Sequence, residues 1–185
     1  MKDLINKAIQ KHSETLSLID RDIVSSASNI ILDAISKNKT IFWCGNGGSA
    51  SQANHLSAEL VGGMYQKKIQ PFKSICLNTD SAFITAWSND DSFNNIFSRQ
   101  LEALGASGDI VIGLSTSGNS KNIINAAKYC NDNNIKMISL TGFDGGLLKG
   151  LSDININISI NDTQRIQEMH ILIGHIICDI IESDL

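Results

Sequence analysis

The sequence predicts an α/β protein built on a five-stranded parallel sheet. Two observations lead there. Five short, apolar, β-prone runs are separated by segments of helical periodicity, and strands that alternate with helices in this way form parallel sheets with right-handed crossovers. Two of the runs also open into glycine- or serine-rich loops, and ligands of such sheets bind outside the strand C-termini. At 185 residues, 42% hydrophobic and 18% charged, the chain has the length and composition of one domain, residues 1–185, with a full core.

Residues 3–37 carry apolar positions at helical spacing, including Leu4, Ile5, Ala8, Ile9, Ile23, Ile30 and Ile31. They predict one long helix or two in series. Helices placed before the first strand often pack on a partner subunit, so residues 1–38 are expected to serve oligomer packing and residues 39–185 to form the α/β core. His12, among polar residues of this arm, is expected to be a solvated side chain. Thr40 to Cys44 then reads as a buried strand, and Gly45-Asn46-Gly47-Gly48 breaks regular structure. Ser49 is placed to cap a helix whose apolar face is Ala50, Ala53, Leu56 and Leu60.

Phe72–Leu77 reads as the second strand, with a helix through Trp87 capped by Asn78-Thr79-Asp80-Ser81. Asn89-Asp90-Asp91-Ser92 interrupts the pattern before an amphipathic segment from Phe93 to Leu104. Asp109–Leu114 is the third strand, Lys121–Asn133 a helix, Ile135–Leu140 the fourth strand and Ile154–Ile160 the fifth. A short helix is expected after the loop Thr141-Gly142-Phe143-Asp144-Gly145-Gly146. The last helix, Thr163–Glu182, is apolar over most of its circumference and is expected to be buried by sheet and partner together.

Composition excludes several functions. A net charge of −4 supplies no field for nucleic acid or an anionic membrane surface, and no apolar run approaches a secretory or membrane-spanning segment. Cys44, Cys76, Cys130 and Cys178 stand singly, without Cys-x-x-Cys spacing. They are expected to be core residues in a reducing, cytoplasmic compartment.

Chemistry concentrates in the two loops and two of the helices. The helix after Gly45-Asn46-Gly47-Gly48 turns its free N–H groups toward the loop, and such an end favours an anion such as phosphate. A dinucleotide reading of Gly45-x-Gly47-x-x-Ala50 lacks its ribose-binding acid, which would fall near Gln66, and no Gly-Lys-Ser/Thr follows for a P-loop. Ser115-Thr116-Ser117-Gly118-Asn119-Ser120 forms a second such loop, whose hydroxyls and backbone N–H groups donate without help from lysine or arginine. On the first loop's helix, His55 and Glu59 lie four apart on one face, a metal half-site that needs further N or O ligands. Gln167 and His175 of the last helix are candidates. Eight residues separate them, about 12 Å of axial rise, so they meet at one metal only by long convergent reach or from two subunits. His170 shares that buried helix and reads as a structural histidine.

Cys44-Gly45-Asn46-Gly47-Gly48-Ser49, His55 with Glu59, Thr79-Asp80, Asn89-Asp90, Phe97-Ser98-Arg99-Gln100, Ser115 to Ser120, and Arg165-Ile166-Gln167-Glu168 with His175 together resemble the phosphoheptose isomerases of the sugar isomerase (SIS) domain family. The likeness covers nearly everything after Thr40. It implies a three-layer, flavodoxin-like sandwich around the five-stranded parallel sheet, with the N-terminal helical arm outside it. It implies conversion of sedoheptulose 7-phosphate to D-glycero-D-manno-heptose 7-phosphate through an enediol, the first step of nucleotide-activated heptose synthesis for lipopolysaccharide or capsule. Ser49, Ser115, Ser117 and Ser120 would hold the phosphate. Asn46, Asn89, Asp90 and Thr116 would take the sugar hydroxyls, with Gly47, Gly48, Glu59 and Gln167 also lining the substrate. Glu59 would be the base and His175 the acid, and His55, Glu59, Gln167 and His175 would bind zinc, one ion per subunit of a homotetramer with active sites near its interfaces. Neither nucleic acid nor membrane would be a partner.

Three positions depart from the family pattern. Gly63 replaces an arginine, with Lys67 or Lys68 as the substitute cation. Gln52 replaces an aspartate, and Ala86-Trp87-Ser88 replaces a smaller Ile-Gly before Asn89. A preference for another phosphorylated ketose is one consequence. A non-catalytic SIS module, like the relative that binds the bacterial replication initiator, is the competing reading; that relative lacks the acid and the last-helix histidine. A sugar-phosphate-sensing or etherase SIS protein would not require the zinc set.

Overall fold

β1 (Ile41–Gly45) is buried at all five positions, and its alternate side chains face opposite ways. Ile41 and Trp43 join one apolar cluster, Phe42 and Cys44 a second on the other face of the sheet. That alternation sets the architecture. A computed structural model describes residues 1–65 and 70–184; Gln66, Lys67 and Lys68 lie outside the described residues.

Before β1 come α1 (Lys2–Thr15) and α2 (Arg21–Ser36). After it follow α3 (Gly48–Gly62), β2 (Ser74–Cys76), α4 (Ser81–Asp90), α5 (Ile96–Leu104), β3 (Ile110–Ser115), α6 (Lys121–Asp132), β4 (Lys136–Gly142), β5 (Ile154–Ile158) and α7 (Thr163–Asp184). The strands form one parallel sheet in the order β2-β1-β3-β4-β5. Residues of α2, α3 and α7 cover one face, and those of α5 and α6 the other. From β1 the chain winds out to β2 and then back past itself to β3, so the crevice beyond the C-termini of β1 and β3 is the switch point where such sheets bind ligands.

Several boundaries differ from the sequence expectation for identifiable reasons. The arm is two helices: Asp20 accepts hydrogen bonds from the N–H groups of Asp22 and Ile23 and starts α2 afresh. β2 spans Ser74–Cys76, and past its C-terminal end the Asn78 amide takes the place of a longer ladder on Gly45: Oδ1 accepts from its N–H at 3.1 Å and Nδ2 donates to its carbonyl at 2.9 Å. α4 runs on through Asn89 and Asp90, so the break starts at Asp91. β4 extends into the expected loop because Thr141 and Gly142 pair with Asn157 and Ile158. The cap of α3 is Gly47, not Ser49. Its φ of 56° with ψ of −122° is open to glycine and costly to a side chain, while Ser49 sits buried in the first turn.

His12, still partly solvated, also has a partner. Its Nδ1 lies 2.6 Å from Glu168 Oε2, and Arg165 Nη1 donates to the Ala8 carbonyl at 2.7 Å, so α1 is tied to the start of α7. The outer side of α1 still exposes Leu4, Ile5 and Ile9. All four cysteines are buried free thiols. No helix among the described residues is long and apolar enough to cross a membrane.

Candidate active site

The glycine and serine loops meet at the switch point because neighbouring strands β1 and β3 end there in register, Gly45 beside Leu114. Gly45 makes the first turn possible: a Cβ there would stand 2.5 Å from the Ser49 carbonyl. On the second loop Ser115 Oγ and Ser120 Oγ are 3.0 Å apart. One hydroxyl therefore donates to the other and a proton remains for a ligand. The loops are joined by a pair of amides. Asn46 Nδ2 donates to Asn122 Oδ1 and Asn122 Nδ2 donates back to Asn46 Oδ1, both at 2.9 Å. The N-termini of α3 and α6 both open on this crevice, and their unpaired N–H groups favour an anion there.

The second part of the site lies along α3 and α7, which run side by side in the same direction. Gly48 meets Gln167 at one end, Leu56 meets Gly174 midway, and Glu182 accepts the N–H groups of Met64 and Tyr65 at the other. Gly174 sets the spacing: a Cβ there would stand 2.3 Å from Leu56 Cδ1. The close approach brings His175 to His55, with Nε2 to Nε2 at 2.9 Å and the rings edge-on at 84°. Glu59 Oε1 lies 3.4 Å from His55 Nε2. One donor atom from each of His55, Glu59 and His175 falls within 4.8 Å of the others.

This group fits a divalent cation of borderline softness. Two imidazoles and a carboxylate are ordinary zinc donors, and the edge of a zinc tetrahedron with imidazole arms is about 3.3 Å, close to the spacings found. Two neutral Nε2 lone pairs at 2.9 Å also repel unless a proton or a cation lies between them. Cys178 is not part of this group: its thiol lies 3.9 Å from the Leu56 carbonyl, and burial, then the nearby Glu59 and Glu182 carboxylates, push it up to about 12.

The remaining expected residues divide. Thr116 and Ser117 line the second loop, with Ser117 exposed at its lip. Gln167 is not beside His175; its amide packs over Gly48, two helical turns away, and its carbonyl accepts from Gln52 Nε2 at 2.7 Å. Asn89 and Asp90 are exposed at the end of α4 and hydrogen-bonded to each other. Among the described residues, no hydrogen bond joins them to either loop. Trp87 stacks with Phe83 and lies under the Arg99 guanidinium at 4.9 Å. His170 is structural. It is fully buried, its Nε2 donates to the Thr141 carbonyl at 3.0 Å, and desolvation pulls its pKa down to about 4 against that hydrogen bond. Sequence reasoning missed Asn122 and Gly174, and read Asn78 as a helix cap and not as the partner of Gly45. An asparagine in a first helical turn and a glycine in an apolar helix carry little signal until their partners are known.

A profile of the SIS domain matches residues 6–142. The phosphoheptose isomerase of Aliarcobacter butzleri is 45% identical over 188 residues, 100% of this chain and 99% of that one. Two solved structures are similar throughout. The phosphoheptose isomerase of Neisseria gonorrhoeae has a TM-score of 0.88 at 35% identity, covering 97% of this chain and 99% of its own. That of Francisella tularensis has a TM-score of 0.91 at 32% identity, covering 98% and 96%.

Proposed function

The chain belongs to the phosphoheptose isomerases of the SIS domain family, and on that premise we propose that it interconverts sedoheptulose 7-phosphate and D-glycero-D-manno-heptose 7-phosphate. The observation that carries the residue assignment is the meeting of Glu59 and His175, from helices far apart in sequence, beside a hydroxyl-lined anion crevice. The phosphate sits among Ser49, Ser115, Ser117 and Ser120 and the two helix N-termini, and the open sugar chain extends along α3. Asn46, Thr116 and Gln167 take its hydroxyls.

Glu59 removes a proton from C1 of the ketose while His175 gives one to the C2 oxygen, which leaves an enediol. Glu59 then returns its proton to C2, and His175 takes one from the C1 oxygen as the aldehyde forms. Bonds and protons balance, and both side chains end as they began. His55, Glu59 and His175 would hold a zinc ion, about one per subunit, which would supply Lewis acidity toward the sugar oxygens; the proton transfers above need the Glu59 carboxylate and the His175 nitrogen concerned to be off the metal. Gln167 stands at the loop end of the helix pair, so as a fourth ligand it would have to swing out along α7 or come from a second copy. The exposed apolar side of α1 supports packing on further copies of the chain; in the proposed homotetramer, Asn89 and Asp90 would serve a neighbouring site. Unpaired cysteines support a cytoplasmic location. A non-catalytic module gives no reason for Glu59 and His175 to meet.

The test is metal-replete protein with sedoheptulose 7-phosphate, the aldoheptose phosphate followed by NMR. Glu59→Gln and His175→Ala are each expected to lower kcat by about 10²–10⁴ with folding intact. Absence of turnover by the wild type, with and without zinc, overturns the isomerase reading. Zinc titration of chelator-treated protein, with loss of binding in His55→Ala, checks the metal.

A further inference from the structure

The serine loop after β3 rests on a third loop that the site has not drawn on, the one after β4. The contact is backbone against backbone. A Cβ on Gly118, whose φ is 65°, would stand 2.0 Å from the Gly145 carbonyl, and one on Gly146 would stand 2.6 Å from the Ser117 carbonyl. The Leu148 N–H donates to the Gly118 carbonyl at 3.0 Å. Asn119 fastens this seam from above. Its Oδ1 accepts from the Leu147 N–H at 3.0 Å, its Nδ2 donates to the Ser117 carbonyl at 3.0 Å, and its own N–H donates to Ser117 Oγ at 3.2 Å.

The last of these bonds has a chemical consequence. With its lone pair engaged by a backbone N–H, the Ser117 hydroxyl has its proton left to donate, and an anion in the crevice is the acceptor that proton suits. We propose that Asn119 is a positioning residue for the phosphate end of the site: it clamps Ser117 to the β4 loop so that the serine cup is rigid before ligand arrives. This rests on the assignment of the phosphate to the serine loop. Asn119 touches neither Glu59 nor His175, so its effect belongs to binding and not to proton transfer. Gly145 and Gly146, by admitting the backbone of the serine loop, serve the same end from the other side of the seam.

The test compares wild type with Asn119→Ala, an exposed position whose truncation leaves the core intact. Inorganic phosphate is titrated by calorimetry, and KM and kcat are measured for sedoheptulose 7-phosphate. The phosphate Kd and the KM are expected to rise together by about tenfold, with kcat within about twofold of wild type. Gly146→Ala is expected to move the same two quantities in the same direction. A folded Asn119→Ala with unchanged phosphate Kd and KM overturns the proposal, as does a fall in kcat with KM unchanged. If the wild type binds phosphate but does not turn the sugar over, the isomerase reading fails. The clamp is then decided by the phosphate Kd alone, upheld if it rises in Asn119→Ala and overturned if it does not.

Discussion

The two halves of the site are held together by different physics. The crevice at β1 and β3 is made of backbone turns and short polar side chains, fixed by glycine approaches and amide pairs such as Asn46 with Asn122. The His55, Glu59 and His175 group is made of long side chains on two helices, and its geometry is only as good as the packing of Leu56 on Gly174. A crevice of hydrogen-bonded backbone resists small packing changes, whereas a cluster carried on helix faces moves with them. The crevice is therefore the rigid reference, and the His55, Glu59 and His175 group is the part that a distant packing change can detune.

Gly174→Ala should break that comparison most forcefully. The added Cβ collides with Leu56, and overpacking of this kind costs about 1–3 kcal/mol. With His175 displaced from Glu59, kcat should fall about 100-fold, while the phosphate Kd by calorimetry stays near wild type. Adding Leu56→Ala should return part of the lost kcat, because it removes the atom that the new methyl meets. Equal losses at both ends would show that the halves are one mechanical unit.

His170 links the halves, reaching from α7 to the end of β4, and its burial gives a pH signature. In the unfolded chain it takes up a proton below its ordinary value of 6.5, whereas the folded site holds it neutral down to about 4. The unfolded state then binds more protons, so stability is full above pH 6.5 and is lost as pH falls toward 4. By pH 5 the loss is about 2 kcal/mol, visible as a lower urea midpoint than at pH 7. His170→Gln should flatten this slope.

Asn122→Ala sharpens the comparison from the other side. It removes both bonds of the amide pair and leaves Asn46 unpartnered, for a loss of about 1–2 kcal/mol in stability. The phosphate Kd should rise, with little change in zinc affinity measured by titration. Smallest of all, Lys37→Ala removes an exposed ion pair with Asp33 one helical turn away and should shift stability by less than about 0.5 kcal/mol.

The sequence alone carried the strands, the helices and both loops, since these depend on local pattern: β-branched runs, helical spacing, and glycine or serine where the chain must turn. It also placed His55 and Glu59 together, because four residues on a helix are neighbours in any fold. Other features waited on the tertiary structure. Gly47 displaced Ser49 as the cap through a backbone angle, and past the end of β2 Asn78 took the place of a strand partner. Whether His175 or Gln167 joins His55 depends on how α7 slides along α3, and that register is decided by a methyl-free contact at Gly174. No spacing along one helix encodes the offset of another helix packed against it. The residues of the group were thus present in the chain pattern, and their meeting depended on packing.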